Sequence, residues 1–221
     1  MTFRGRAAGP PRYESYKESS TSLELAPMSK LIHYYHPMSR GARTQALLDT
    51  FNIPHEAVVI DYTHGEHQSP DYLRVNPLGK VPALKHGDTI ITESGAITLY
   101  LADLFSEQMN TPAPGTPERG RMYEWIFFFQ TTMEQAAAAA FPPGADKTPI
   151  REKLKSLLQS ASTRFIGPYT VGDNFSLLDV VLFVEFSWYK MMEVWPSGLE
   201  QYEQFMKRVG PRVVLTALTP G

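Results

Sequence analysis

Two hydrophobic periods organise the chain, and one gives way to the other near its midpoint. Leu31–Tyr35 is a short run of strand-forming residues stopped by Pro37, and His55–Asp61, carrying Val58, Val59 and Ile60, is a second. Between them Ala42, Ala46, Leu47 and Phe51 recur at helical spacing over Arg40–Phe51. That β-α-β order predicts a parallel pair joined by a right-handed crossover. Ser69-Pro70-Asp71 then opens a short helix, with Ser as cap and Pro in the first turn. Val81–Lys85 and Thr89–Thr92 flank His86-Gly87-Asp88 and predict a hairpin. Ser94–Phe105 follows as a helix, with Ile97, Tyr100, Leu101 and Leu104 on one face. The unit reads β-α-β-α-β-β-α and ends near residue 105.

Pro112, Pro114, Gly115 and Pro117 give residues 106–116 the composition of a linker, and everything beyond reads as helix. Glu118–Ala140 is one long helix whose Met122, Ile126, Phe129 and Met133 form a stripe. Trp125, Phe128 and Thr132 occupy another side of it. A helix apolar on more than one face must be buried or shared, which predicts a homodimer. Pro142-Pro143-Gly144 breaks it, and Ile150–Phe165, Ser176–Val194 and Leu199–Val209 are further helices. Ser176-Leu177-Leu178-Asp179 is a capping box with Asp at its third position. Residues 1–28 are different. They carry Arg4, Arg6 and Arg12 ahead of any acid, Gly9-Pro10-Pro11, a Ser19–Ser22 polar run and little apolar period, so they read as a flexible extension.

Composition narrows the chemistry. With 43% hydrophobic residues in 221, the chain can bury a substantial core. A net charge of −2, from 21 basic and 23 acidic residues, gives no reason to expect a nucleic-acid partner. No apolar run approaches the roughly 18–20 residues of a membrane span. Cysteine is absent, which excludes disulfides, zinc-cysteine sites, iron–sulfur clusters and any protein thiol mechanism. His33-x-x-His36 and His64-x-x-His67 lack a third ligand, so no metal site is expected. No glycine-rich or Walker-type phosphate loop occurs.

Three short segments carry chemistry beside a plainer role. Val81-Pro82 follows Asn76-Pro77-Leu78-Gly79-Lys80; an ordinary turn proline fits there, but a cis bond would show the Val81 backbone to a peptide-like ligand as an added strand. Glu93-Ser94 feeds a helix N-terminus, where Ser caps the helix or helps to hold a carboxylate, with Glu93 available for an ammonium. Ser39 precedes the first helix and either caps it or donates to an anion at that end.

In their order and spacing these segments, with His67 before Ser69-Pro70 and an all-helical second half, resemble the cytosolic glutathione transferases over about residues 29–195. The most specific stretches are Gly65–Pro77, Gly79-Lys80-Val81-Pro82-Ala83-Leu84 and Glu93-Ser94-Gly95-Ala96-Ile97. Tyr34-Tyr35-His36-Pro37-Met38-Ser39, followed by Arg40-Gly41-Ala42-Arg43, resembles the catalytic-serine segment of the delta and theta classes and their bacterial relatives. The resemblance implies an α/β thioredoxin-like domain over 29–105, the linker, and an all-α domain over 117–221. It implies a cytoplasmic, homodimeric enzyme that activates the thiol of its co-substrate glutathione for attack on a small hydrophobic electrophile.

Residue roles follow from the same resemblance. Ser39 would hydrogen-bond the sulfur and favour thiolate, the nucleophilic form. Glu93 and Ser94 would grip the γ-glutamyl group, Val81 ahead of Pro82 would pair with the cysteinyl backbone, and His67 with Lys80 would neutralise the glycine carboxylate. Tyr35, Tyr123, Phe127, Phe128 and Trp188 are the aromatic candidates for the electrophile pocket. Tyr34, Tyr35 and Arg40 compete with Ser39 as thiol partner; neighbours on a strand face opposite ways, so at most one tyrosine meets the site. Met38-Ser39-Arg40 stands where zeta-class isomerases carry Ser-Ser-Cys, and the lack of cysteine excludes omega-type thiol transfer. Ether cleavage, peroxide or disulfide reduction, or ligand binding without catalysis are the alternatives, and the intact grip on glutathione favours an enzyme.

Overall fold

The structure, a computed structural model, describes residues 29–165 and 167–216. The extension expected over 1–28 lies outside them. Strand β1 (Leu31–Tyr35) leads through helix α1 (Gly41–Thr50) to β2 (Glu56–Val59), parallel to β1 as expected. After α2 (Pro70–Val75), strands β3 (Ala83–His86) and β4 (Thr89–Thr92) form the hairpin, and α3 (Ser94–Leu104) follows. β3 lies antiparallel to both β1 and β4, giving the sheet order β2-β1-β3-β4. This is the thioredoxin-like arrangement. The α2 start uses the predicted cap: the Ser69 hydroxyl accepts the Tyr72 N–H at 3.1 Å, and Pro70 loses no bond in the first turn.

The second half is helical: α4 (Pro117–Phe127), α5 (Glu134–Ala138), α6 (Thr148–Ala161), α7 (Leu177–Met191) and α8 (Glu200–Val209). The long helix expected over 118–140 is continuous but not uniform. Between α4 and α5 it widens to a π-helix over Phe128–Met133. There the Thr131 hydroxyl donates to the Phe127 carbonyl at 2.8 Å, drawing a carbonyl of the ladder toward a side chain. The Met122–Ile126–Phe129–Met133 stripe is buried, as its spacing suggested. Trp125 is buried too, stacked on Phe129 with Phe165 edge-on against it. Phe165, itself packed on Tyr202 and Phe205 of α8, therefore covers Trp125 on the second apolar face, while Tyr123 and Phe127 are exposed. At the start of α7, Asp179 accepts from the backbone N–H groups of Ser176 (2.7 Å) and Thr170 (2.8 Å), so the capping box also ties down the preceding loop.

Helix α1 departs from its amphipathic reading. All eight residues from Gly41 to Leu48 are buried, the polar Arg43, Thr44 and Gln45 included, because the sheet covers one side and α7 packs on the other. Gly41 is required by closeness: a Cβ there would come within 2.7 Å of the Tyr35 Cβ. Thr44 and Gln45 turn to the sheet and hold the fully buried His33, whose Nδ1 lies 2.7 Å from Gln45 Oε1 and whose Nε2 lies 2.8 Å from the Thr44 hydroxyl. Arg43 turns the other way. Its guanidinium meets Glu134 of α5 at 2.6 Å and Glu185 of α7 at 3.1 Å, and all three residues are buried. Arg40, exposed, pairs with the second oxygen of Glu134.

Two stability experiments follow. Replacing Arg43 by Met leaves two carboxylates without their buried counter-charge, and we expect a loss of about 3–5 kcal/mol in urea unfolding. Lys30→Ala, which breaks the surface pair with Glu56, is expected to change stability by less than about 1 kcal/mol. Equal, small losses would mean that the Arg43 cluster is solvated. Burial lowers the His33 pKa to about 4, below its ordinary 6.5. Between those values the unfolded chain binds the extra proton, so this contribution is full above pH 6.5 and is lost as pH falls toward 4, by up to about 3 kcal/mol. A His33→Asn variant should show a shallower acid decline in urea unfolding; parallel declines would refute the assignment.

Candidate functional site

A cavity of about 790 Å³ opens between the sheet domain and the helices. Its sheet-side wall is built from the loops after β1 and β2 and the turn before β3; its other wall comes from α5 and α7. Of the residues singled out in the sequence, Ser39, Arg40, His67, Lys80, Val81 and Trp188 line it together.

Ser39 sits where its helix-capping role predicts. Its hydroxyl accepts the Gly41 N–H at 3.0 Å and donates to the His36 carbonyl at 2.7 Å. That hydroxyl proton can turn from His36 toward the cavity while the oxygen keeps its cap bond. The Val81–Pro82 bond is cis, and Pro82 itself is buried behind the wall. The turn is held from behind, since the Lys80 carbonyl accepts from the Tyr72 hydroxyl (2.6 Å) and the Asn76 amide (2.7 Å). Gly79, at φ +58°, is needed there: a Cβ would lie 2.8 Å from the His67 carbonyl. The Val81 N–H points to the Tyr62 hydroxyl at 3.2 Å, and the Tyr62 ring stacks on His67 with centroids 4.1 Å apart.

Glu93 and Ser94 stand off the cavity wall. Glu93 is exposed and takes φ +67°, a conformation a side chain rarely adopts, at the N-terminus of α3. Ser94 is buried; its hydroxyl accepts from the Gln130 amide at 3.2 Å and lies 3.5 Å from Arg43. The other expected aromatics do not reach the cavity. Tyr35 stacks on His33 beside α1, and burial raises its pKa, keeping it a phenol. Tyr34, on the opposite face, tilts against Tyr72. Phe128 packs edge-on to Trp125 and Phe129, while Tyr123 and Phe127 lie on the outer side of α4. The wall they were expected to form is made instead by Ala137, Phe141, Trp188, Met191 and Met192.

Polar groups that the sequence reading missed also line this wall: Glu134 of α5 and, on one α7 face with Trp188, Glu185 and Tyr189. The Glu185 carboxyl is pushed up to about 7, chiefly by burial, against the opposing pull of Arg43. Burial and the Glu185 charge raise the Tyr189 phenol well above its ordinary range. Glu185 had a signal in the sequence. It is a lone carboxylate inside the apolar run Val180–Phe186, where a charge has to be paired. No comparable mark distinguishes Glu134 or Tyr62.

Comparison with known proteins agrees with this geometry. Residues 29–103 match the family model for the glutathione S-transferase N-terminal domain. The chain is 30% identical over 147 residues to glutathione S-transferase GstA of Escherichia coli O157:H7, covering 64% of this chain and 73% of that one. It is 40% identical over 151 residues to glutathione S-transferase 1 of Dianthus caryophyllus, covering 63% and 68%. A glutathione transferase homologue from Sulfitobacter, solved with bound glutathione, superposes with a TM-score of 0.70 at 26% identity, over 86% of this chain and 96% of that one. A sheet domain with a cis-proline turn, a cavity shared with a helical region and these relatives lead to one assignment: the chain belongs to the glutathione S-transferase family.

Proposed function

We propose that the cavity is a two-substrate site in which glutathione lies along the sheet-side wall and a small apolar electrophile lies against α5 and α7. The protein is a glutathione transferase with glutathione as co-substrate, and the observation that carries the detailed reading is the meeting of Ser39, His67, Lys80 and Val81 on one wall. Val81 offers its N–H to the cysteinyl backbone in place of the Tyr62 hydroxyl. His67 and Lys80 supply positive or hydrogen-bonding groups for the glycine carboxylate. Glu93 and the N-terminus of α3 serve the γ-glutamyl end, where the unpaired N–H groups of a helix start favour an anion. This reading takes 29–105 as the glutathione-binding unit, 106–116 as its link and the rest as the cover. It places the reaction in the cytoplasm, whose thiol pool is glutathione.

Mechanistically, the Ser39 hydroxyl turns from the His36 carbonyl to the glutathione sulfur and stabilises the thiolate, helped by the N-terminal end of α1. The thiol proton leaves to solvent, and the thiolate attacks the electrophilic carbon, forming the C–S bond as the carbon's leaving group departs as an anion with the electron pair of the broken bond. Four exposed large apolar residues, Met38, Leu78, Phe141 and Met191, rim the cavity and suit an apolar second substrate. The same reading takes the protein to be a homodimer, with Tyr123 and Phe127 one turn apart on α4 as the exposed apolar pair to be covered.

Ser39→Ala tests the mechanism. Losing the cap should reduce stability by about 1 kcal/mol, whichever role Ser39 has. If Ser39 also activates sulfur, the ultraviolet thiolate signal of bound glutathione should move up toward the free-thiol value of about 8.5. Turnover at neutral pH should fall about a hundredfold or more and recover as pH rises. Identical titration and turnover in variant and parent would leave Ser39 as a cap only, with Arg40 next in line. Light scattering tests the assembly: the expected mass is twice 24.9 kDa, reduced to one chain in Phe127→Lys. A monomer at micromolar concentration refutes it.

A further inference from the structure

Among the described residues, six buried side-chain atoms close no hydrogen bond: Arg43 Nε, His67 Nδ1, Glu134 Oε1, Glu185 Oε1, Trp188 Nε1 and the Tyr189 hydroxyl. Five of these residues line the cavity described above, and the sixth, Arg43, pairs with two of them. Buried polar atoms are satisfied in the great majority of folded chains, so such a concentration at one wall marks a place built for a ligand's polar group. Glu134 Oε1 at least has the Arg43 charge 2.6 Å away. On α7 the Glu185 carboxylate has Arg43 at 3.1 Å on its other oxygen and the Tyr189 phenol beside it, which leaves each of these two groups part of its bonding capacity, whereas Trp188 Nε1 has no hydrogen-bond partner among the described residues. Glu185 and Tyr189 are 0% and 2% exposed, one helical turn apart, and the Arg43 guanidinium lies over the Trp188 ring at 5.8 Å.

The donor and acceptor inventory selects the ligand. Trp188 Nε1 can only donate, an ionised Glu185 oxygen can only accept, and the Tyr189 hydroxyl has a proton to give. A hydroxyl group is their complement: one O–H for Glu185 and two lone pairs for Trp188 and Tyr189. A carboxylate would be repelled by Glu185, and an ammonium would leave the Trp188 donor unmet. The rest of this wall, with Phe141, Met191 and Met192, suits a flat apolar body. We infer that Glu185, Trp188 and Tyr189 form a polar subsite that selects second substrates in which a hydroxyl is carried on an aromatic ring. The inference rests on the two-substrate reading of the cavity and adds to it the class of electrophile preferred.

The test uses the full-length protein saturated with S-methylglutathione, which fills the thiol half without reacting, and three probes titrated by calorimetry: naphthalene, 1-methoxynaphthalene and 1-naphthol. They share a body and differ in having no oxygen, lone pairs only, or lone pairs plus an O–H. The expected order places 1-naphthol tightest, about tenfold or more above naphthalene, with 1-methoxynaphthalene between. Tyr189→Phe removes one oxygen and should weaken 1-naphthol about fivefold or more while leaving naphthalene within about twofold. Equal affinities for the three probes would overturn the subsite, as would a Tyr189→Phe loss shared equally by naphthalene, the mark of a packing role. If none of the probes bound while glutathione itself still did, the two-substrate reading would fall, and the subsite with it.

Discussion

Arg43 is the point on which the two halves of this molecule turn. A fully buried guanidinium is tolerable only where carboxylates meet it, and both of its partners come from helices far along the chain, Glu134 on α5 and Glu185 on α7. The charge therefore fixes how the helical half sits on the sheet half. An apolar contact of the same area would tolerate sliding; a buried ion triad does not, since any displacement strands a charge. That requirement explains why α1, amphipathic by its spacing, is buried on every side. One polar face holds His33 against the sheet, and the other holds Arg43 against the helices.

The cavity inherits this division. Its sheet-side wall includes backbone held in place by turns: a capping serine, a cis-proline turn pinned by Tyr72 and Asn76, and a glycine that admits no Cβ. Such a wall suits a ligand recognised by its own peptide groups. The helical wall is side chain throughout, from Phe141 and Met191 at the rim to Glu185 and Tyr189 within. Backbone groups held in a fixed turn constrain what can change in sequence, whereas side chains alone permit exchange. The first half of the site thus fits one invariant co-substrate, and the second half sets selectivity.

The sequence disclosed most of the sheet half, because its signals are local. Alternation, turn residues, Ser69-Pro70 and the Val81-Pro82 segment each act within a few residues, and β1, β4 and α2 lie where those signals put them. The helical wall was less legible. Trp188 could be picked out as an aromatic on α7, but Phe128 could not be separated from the core, since both kinds of position carry the same residue type. Glu134 and Arg43 are 91 positions apart, and no periodicity connects them. Only the folding of α5 back toward α1 makes each the other's counter-charge. Tyr62 escaped notice for the same reason, as its partners Val81 and His67 come together only when the loops close.

The π-helical segment over Phe128–Met133 has a consequence for how this site can change over generations. Substitutions alter one side chain at a time and leave the direction of every other in place. Here the widened turn stores one residue more than a regular α-helix would hold, immediately ahead of Glu134. Because the wide turn takes up that residue, deleting it would restore a regular ladder and leave Glu134 and Ala137 aimed at the cavity, whereas a deletion in a regular turn would rotate everything beyond it by about 100°. The segment can thus lose one codon with the wall kept, while the same loss in the regular turns of α4 or α5 would redraw the site, so chain length here is free to vary where elsewhere in the helix it is not.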